Sequence, residues 1–98
     1  MMQATIIITR DVEARYRGLI ASAMLEAAPG VYVAPRLSAG VRDRIWNTLS
    51  GWYAALGRGG LIMLYPDTSC PGGLAIRTLG DPPKEIVDAD GILLAKRA

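Results

Sequence analysis

An α+β sandwich is the fold class this sequence predicts, and three observations carry that expectation. Short β-branched or apolar runs alternate with two amphipathic segments of helical length, and the later runs follow one another directly. The chain has 98 residues with no repeat or linker, which suits a single domain over residues 1–98. Half of it (51%) is hydrophobic, enough for one core but a marginal one, so pairing with a second copy is expected.

Residues 4–9 (Ala-Thr-Ile-Ile-Ile-Thr) are a nearly continuous β-branched run that suits a central strand. Asp11 is placed to cap a helix. Val12, Tyr16, Leu19, Ile20, Ala23, Met24 and Ala27 then recur at helical spacing, until Pro29-Gly30 stops the pattern. Residues 31–33 read as a strand, ended by Ala34-Pro35 because proline donates no ladder hydrogen bond. Ser38 is a good N-cap for a second helix, and Val41 three residues on rules out a capping box. That helix carries the stripe Val41, Ile45, Leu49, Trp52, Tyr53 and Leu56, with Trp46 beside it, and Gly57 is its expected C′ residue. Gly51 inside it costs about 1 kcal/mol relative to Ala, so a close packing contact is expected there. Residues 61–65 form a third strand, 66–73 a hairpin loop, 74–79 a fourth strand, 80–83 a turn and 92–95 a short last strand. The order β-α-β-α-β-β-β, with two helices on one face of a small, mainly antiparallel sheet, points to a ferredoxin-like sandwich.

Histidine is absent, which removes Ser-His-Asp and Cys-His catalysis, histidine-containing zinc sites and any histidine pH switch. One cysteine, Cys70, permits no internal disulfide and no Cys₄ cluster within one chain. The start lacks a basic, then apolar, signal-peptide pattern, and the longest apolar runs fall far short of the ~20 residues of a membrane span. A soluble cytoplasmic protein without a membrane role is expected. Nine of the eleven basic residues are arginines. Residues 1–58 hold seven of them against four acids, a net charge of +3, and residues 59–98 hold four basic residues against five acids, a net of −1. Arginine's planar fork suits bidentate phosphate contacts, although charge alone equally fits solvated helix faces.

Most local motifs fail on their own requirements. Asp88-Ala89-Asp90-Gly91 opens like a calcium loop but lacks the third oxygen ligand and the later Glu, so a solvated acidic turn is the simpler reading. Gly57-x-Gly59-Gly60 has no following helix or Lys-Ser/Thr, which leaves a helix stop rather than a phosphate cradle. Cys70 has no nearby histidine or lysine to activate it. Tyr32 and Tyr65 lie on strands, but no Gly-aromatic-Gly-aromatic run marks an RNA-recognition sheet. The segment 9–17 is different, because it joins a strand end, a helix start and Arg10, Arg15 and Arg17. The free amides of a first helical turn favour anions. Arg15 and Arg17 lie about 200° apart around a helix, so they do not share one flat patch but can straddle a backbone. Asp11 capping the helix with the arginines merely solvated fits the same residues.

At Gly30-Val31-Tyr32-Val33 and Ser38-Ala39-Gly40-Val41-Arg42-Asp43-Arg44-Ile45-Trp46 the chain resembles the small CRISPR-associated adaptation protein of type I-E systems, the partner of the CRISPR integrase. The opening strand ending in Thr9, Arg15-x-Arg17-Gly18, Leu25-Glu26 and the closing Asp-x-Asp-Gly fall in the same order, so the similarity covers nearly the whole chain. The resemblance implies a ferredoxin-like homodimer that bridges integrase dimers and holds the duplex body of a new spacer without reading its sequence. Phosphate contacts serve that purpose because only base-edge contacts carry sequence information. The implied nucleic-acid-binding residues are Arg15, Arg17 and Arg42. In the late loop the family's paired arginines correspond to Pro83 and Lys84, and Gly40 replaces another basic position. The segment before Ser38 is one residue longer, and Arg36 stands to compensate. Residues 91–98 are the implied closing strand and tail, with Ile92, Leu93, Leu94 and Ala95 in the partner interface.

Two other functions stay open. Relatives of this family are described as magnesium-dependent nucleases that use a first-strand aspartate, and Asp11 is the nearest acid for such a metal. The aligned acidic position is Arg10, which opposes a cation. Scaffolding itself implies no catalytic residue and no cofactor. A ferredoxin-like ligand-binding module without a nucleic-acid role is the second alternative.

Overall fold

The isoleucine run becomes β1 (Thr5–Arg10), the middle strand of a five-stranded antiparallel sheet. The computed structural model describes residues 4–80, 85–89 and 92–96. After β1 come α1 (Ala14–Ala21), β2 (Leu25–Ala28), β3 (Val31–Ala34), α2 (Ala39–Leu56), β4 (Gly60–Pro66), a 3₁₀ turn at Pro71–Gly73, and β5 (Leu74–Leu79). A further hairpin pairs β6 (Glu85–Ala89) with β7 (Ile92–Lys96), and β7 lies against the 3₁₀ turn. The sheet order β2-β3-β1-β4-β5, antiparallel throughout, together with the element order β-α-β-β-α-β through β4, is the ferredoxin-like arrangement.

Alternation along the strands separates two faces. Thr5 and Ile7 on β1, Tyr32 and Ala34 on β3, and Leu61, Met63 and Tyr65 on β4 are buried beneath the helices, which contribute Tyr16, Ile20, Ile45, Trp46 and Leu49. On the opposite face Ile6, Val31, Val33, Ile62, Leu64 and Ile76 are half-buried. Ile6 pairs with Val33 and Leu64, Ile8 with Val31 and Ile62, and Leu64 with Ile76, so this face is a contiguous apolar surface. Ile8 is 38% exposed and Leu25, beside Val33, is 70% exposed.

The helical stripe stops earlier than its spacing predicts. α1 ends at Ala21, where Ser22 caps it and the Ser22 hydroxyl donates to the Leu19 carbonyl at 2.6 Å. Residues 25–28, expected as helix, form β2 and pair with β3. Ala23 and Ala27 are exposed, whereas Val12, Tyr16, Ile20 and Met24 are buried. The β2–β3 turn holds because Gly30 adopts φ 78° and its amide donates to the Glu26 carboxylate at 3.1 Å. Gly30 also faces Thr9, whose amide donates to the Gly30 carbonyl at 2.7 Å.

Asp11 does not cap α1. It takes a left-handed conformation (φ 55°) between strand and helix, and the N-cap is Glu13, without a side-chain cap bond. Ser38 does cap α2, its hydroxyl accepting from the Val41 amide at 3.2 Å. Gly57 ends α2 in an extended conformation (φ −78°) rather than as a left-handed C′ residue. Glycine is needed there because a Cβ would come within 2.5–2.6 Å of the Tyr53 ring. Gly51 meets nothing within 4 Å, so the packing contact expected there is absent. β6 was not legible either; it contains Asp88 and Ala89, which the sequence pattern assigns to an acidic turn.

Candidate nucleic-acid interface

α1 presents its two arginines on opposite flanks. Arg15 and Arg17 are both exposed, while Tyr16 between them is fully buried and anchors the helix to the core. The Arg15 guanidinium lies over the Trp52 ring of α2, 4.9 Å from its centroid, and 5.5 Å from that of Tyr16. Tyr16 and Trp52 meet edge to face at 5.5 Å and 82°, so the two helices form an aromatic seat for the cation. Arg17 acts on the other side. Burial pushes the Tyr32 phenol above its ordinary pKa, the Glu26 carboxylate adds to the shift, and the positive charge of Arg17 opposes it. Arg15 lies on the α2 side of α1, and the helical turn of about 200° puts Arg17 on the flank away from α2. Gly18, one residue on, has nothing within 4 Å of where a Cβ would stand, which leaves the outer surface of α1 open.

Arg42 sits elsewhere and faces inward. Its side chain is 13% exposed, its guanidinium lies 3.7 Å from the Tyr65 ring centroid, and its Nε donates to the Asp43 carboxylate at 3.2 Å. Arg77 of β5 shares both partners, at 3.2 Å from the same Asp43 oxygen and 5.3 Å from the Tyr65 ring. Ten residues of helix separate Arg42 from Trp52, about 15 Å at 1.5 Å per residue. The structure thus brings Arg15 and Arg17 onto one helix and leaves Arg42 in a separate cluster at the start of α2. Arg77, which sequence reasoning missed, pairs with it through a contact 34 residues away in sequence (77 − 43) that no local pattern encodes. Arg36 is exposed in the segment between β3 and α2. Lys84 lies outside the described residues. Ile92, Leu93, Leu94 and Ala95 form most of β7, and only their backbone is described.

Tyr32 and Tyr65 turn toward the helices and are 2% and 6% exposed, so neither offers a ring for base stacking. Cys70 is half-buried against the core in the β4–β5 loop. The loop is ordered by Asp67, which accepts from the Ser69 amide at 2.9 Å and the Ser69 hydroxyl at 2.7 Å. Those bonds hold the Asp67 carboxyl below the usual aspartate range.

Asp11 is exposed at the end of β1. It follows Arg10 directly, and its carbonyl accepts from Arg58 Nε at 3.3 Å. Among the described residues no three His, Cys, Asp or Glu side chains gather as ligands. No helix of the described residues is long and apolar enough to cross a membrane. Residues 4–94 match the family model described as CRISPR-associated protein (Cas_Cas2CT1978).

Proposed function

Since the chain belongs to the CRISPR-associated protein family Cas_Cas2CT1978, we propose that it serves spacer acquisition as a dimeric, non-catalytic scaffold that holds duplex DNA by its phosphates. The observation that carries this reading is the pair Arg15 and Arg17 on the exposed surface of α1. Arg15 is seated on aromatic rings rather than on a carboxylate, which keeps its fork of donors available and already oriented. Tyr32 and Tyr65 turn away from the open sheet face, which agrees with binding that ignores sequence. Arg42 supports the reading less, because Tyr65 and Asp43 already engage it.

The apolar sheet face opposite the helices, with Ile8 and Leu25 exposed on it, is the basis for the dimer. A contiguous apolar surface of this kind needs a cover in water, and a second copy supplies one of matching character. Two copies present four α1 arginines to a duplex. Residues 91–98, with Ile92, Leu93, Leu94 and Ala95, are the part of the chain offered to the integrase. Asp11, Arg10 and Arg58 give no support to magnesium-dependent hydrolysis, so no catalytic role is assigned.

The test is a salt titration of duplex affinity for wild type and Arg15→Ala/Arg17→Ala, with unrelated duplex sequences. The double variant should weaken binding about equally on every sequence and flatten the log–log salt dependence by up to about 0.9 for each phosphate it no longer engages. Unchanged affinity and slope would mean that these arginines are only a solvated surface. Co-purification with the neighbouring integrase checks the partner half of the reading.

A further inference from the structure

Arg10 ends β1 and Arg58 lies in the loop between α2 and β4, 48 residues away (58 − 10), yet the fold locks their backbones together. Arg10 pairs with Gly60 in the sheet, and Arg58 reaches across to donate from Nε to the Asp11 carbonyl. Gly59 makes the approach possible. Its φ is 76°, and a Cβ there would stand 2.1 Å from the Arg10 carbonyl oxygen. The Gly59 carbonyl in turn accepts from the Tyr53 hydroxyl at 2.9 Å, and Gly80 (φ 87°) passes so close that a Cβ would stand 2.5 Å from that carbonyl oxygen. The loop carrying Arg58 is therefore held from three sides.

Both side chains are exposed, and the two salt bridges among the described residues fall on Asp43, far along α2 from this loop. Arg58 commits one of its five N–H groups to Asp11 and keeps the four on its terminal nitrogens for another acceptor. Arg15 is held at the same end, on Trp52 near the C-terminal end of α2. The end of β1, the start of α1 and the α2–β4 loop thus place Arg10, Arg15 and Arg58 on neighbouring elements at one end of the domain. A held guanidinium loses less side-chain entropy on binding, and its fork matches phosphate oxygens.

We infer that Arg10 and Arg58 are further phosphate-contacting residues, extending the duplex-binding surface of α1 onto the end of the sheet. This rests on the duplex-binding reading above. The experiment measures duplex affinity against salt for the purified chain as wild type, Arg10→Gln/Arg58→Gln, Arg15→Ala/Arg17→Ala and Arg44→Gln. Glutamine keeps length and polarity at exposed positions, and circular dichroism with thermal melting checks the fold. Arg44 is exposed on α2 and controls for net charge alone. The Arg10→Gln/Arg58→Gln variant should lower the salt slope by up to about 1.8 per protomer, at about 0.9 per phosphate, while Arg44→Gln leaves it unchanged. A slope retained by Arg10→Gln/Arg58→Gln but reduced by Arg15→Ala/Arg17→Ala overturns this inference and leaves the duplex-binding reading standing. An equal reduction in Arg44→Gln also overturns it, because net charge would then explain the effect. No salt-dependent binding by wild type overturns both.

Discussion

Replacing Arg42 with alanine separates a structural cation from a DNA contact. The guanidinium lies 3.7 Å from the Tyr65 ring centroid with 13% of the side chain exposed, so the cation–π contact is largely desolvated. Such a contact contributes about 2 kcal/mol at the buried end of its range. Truncation also uncovers two methylenes, at about 0.8 kcal/mol each when buried. Truncation also removes the cost of keeping a charge partly desolvated in the folded state, which offsets some of this loss. The net destabilisation should be about 2 kcal/mol, or a fall of about 8–16 °C in Tm for a domain of this size. Arg42→Met, which keeps the apolar stem, should recover roughly half the loss. Pairing Arg42→Ala with Tyr65→Leu should give a coupling energy of about 1 kcal/mol or more. Thermal and urea melts supply these values, and the salt slope for duplex binding should stay at the wild-type value. If Arg42→Ala melts with the wild type and its slope falls by about 0.9, Arg42 contacts phosphate and the stacking argument is refuted.

The apolar sheet face and the glycines give two more outcomes. Ile8→Asp puts a charge in the middle of the apolar face and should convert a dimer to monomer in light scattering at micromolar concentration, with the circular dichroism spectrum kept; an unchanged dimer would exclude that face. Gly51→Ala, open in space within α2, should stabilise by about 0.5–1 kcal/mol, whereas Gly59→Ala, with its positive φ and carbonyl overlap, should cost more than about 2 kcal/mol in urea denaturation.

The elements that sequence reveals well are those whose pattern and partners agree. Ser38 begins α2 as expected, and residues 74–79 form β5 with the expected bounds, because each carries its own local signal. β2 was illegible for the opposite reason. Leu25-Glu26-Ala27-Ala28 has helix formers and no β-branched residue, and its strand geometry comes from pairing with β3 and from the Gly30 turn. The missing strand is nevertheless one that a ferredoxin-like sheet requires, lying beyond β3 at the edge. The site divides the same way. Arg15 and Arg17 were legible because helix spacing sets their directions, and their separation of about 200° becomes one flank on α2 and one away from it. Arg42 was legible as a charge but not in its direction, which depends on Tyr65 from another element. Arg10 and Arg58 are brought together by the Arg10–Gly60 pairing, the Arg58–Asp11 bond and the close passage of Gly59, contacts that no neighbouring residue announces.

The central position of β1 also shapes how the chain can be made. Its Ile6–Ile8 stretch bonds to β3 on one edge and β4 on the other, so β1 is synthesised well before it can be enclosed. Ile8 and its β4 partner Ile62 are 54 residues apart (62 − 8), roughly 3–11 s of translation at about 5–20 residues per second. During that interval an apolar strand has one edge with no intramolecular partner, the condition under which nascent chains associate with each other. Chains halted before Gly60 should be far more open to protease within residues 5–10 than chains released after Pro66. The order of the strands in the sheet thereby sets a delay between making the core and closing it.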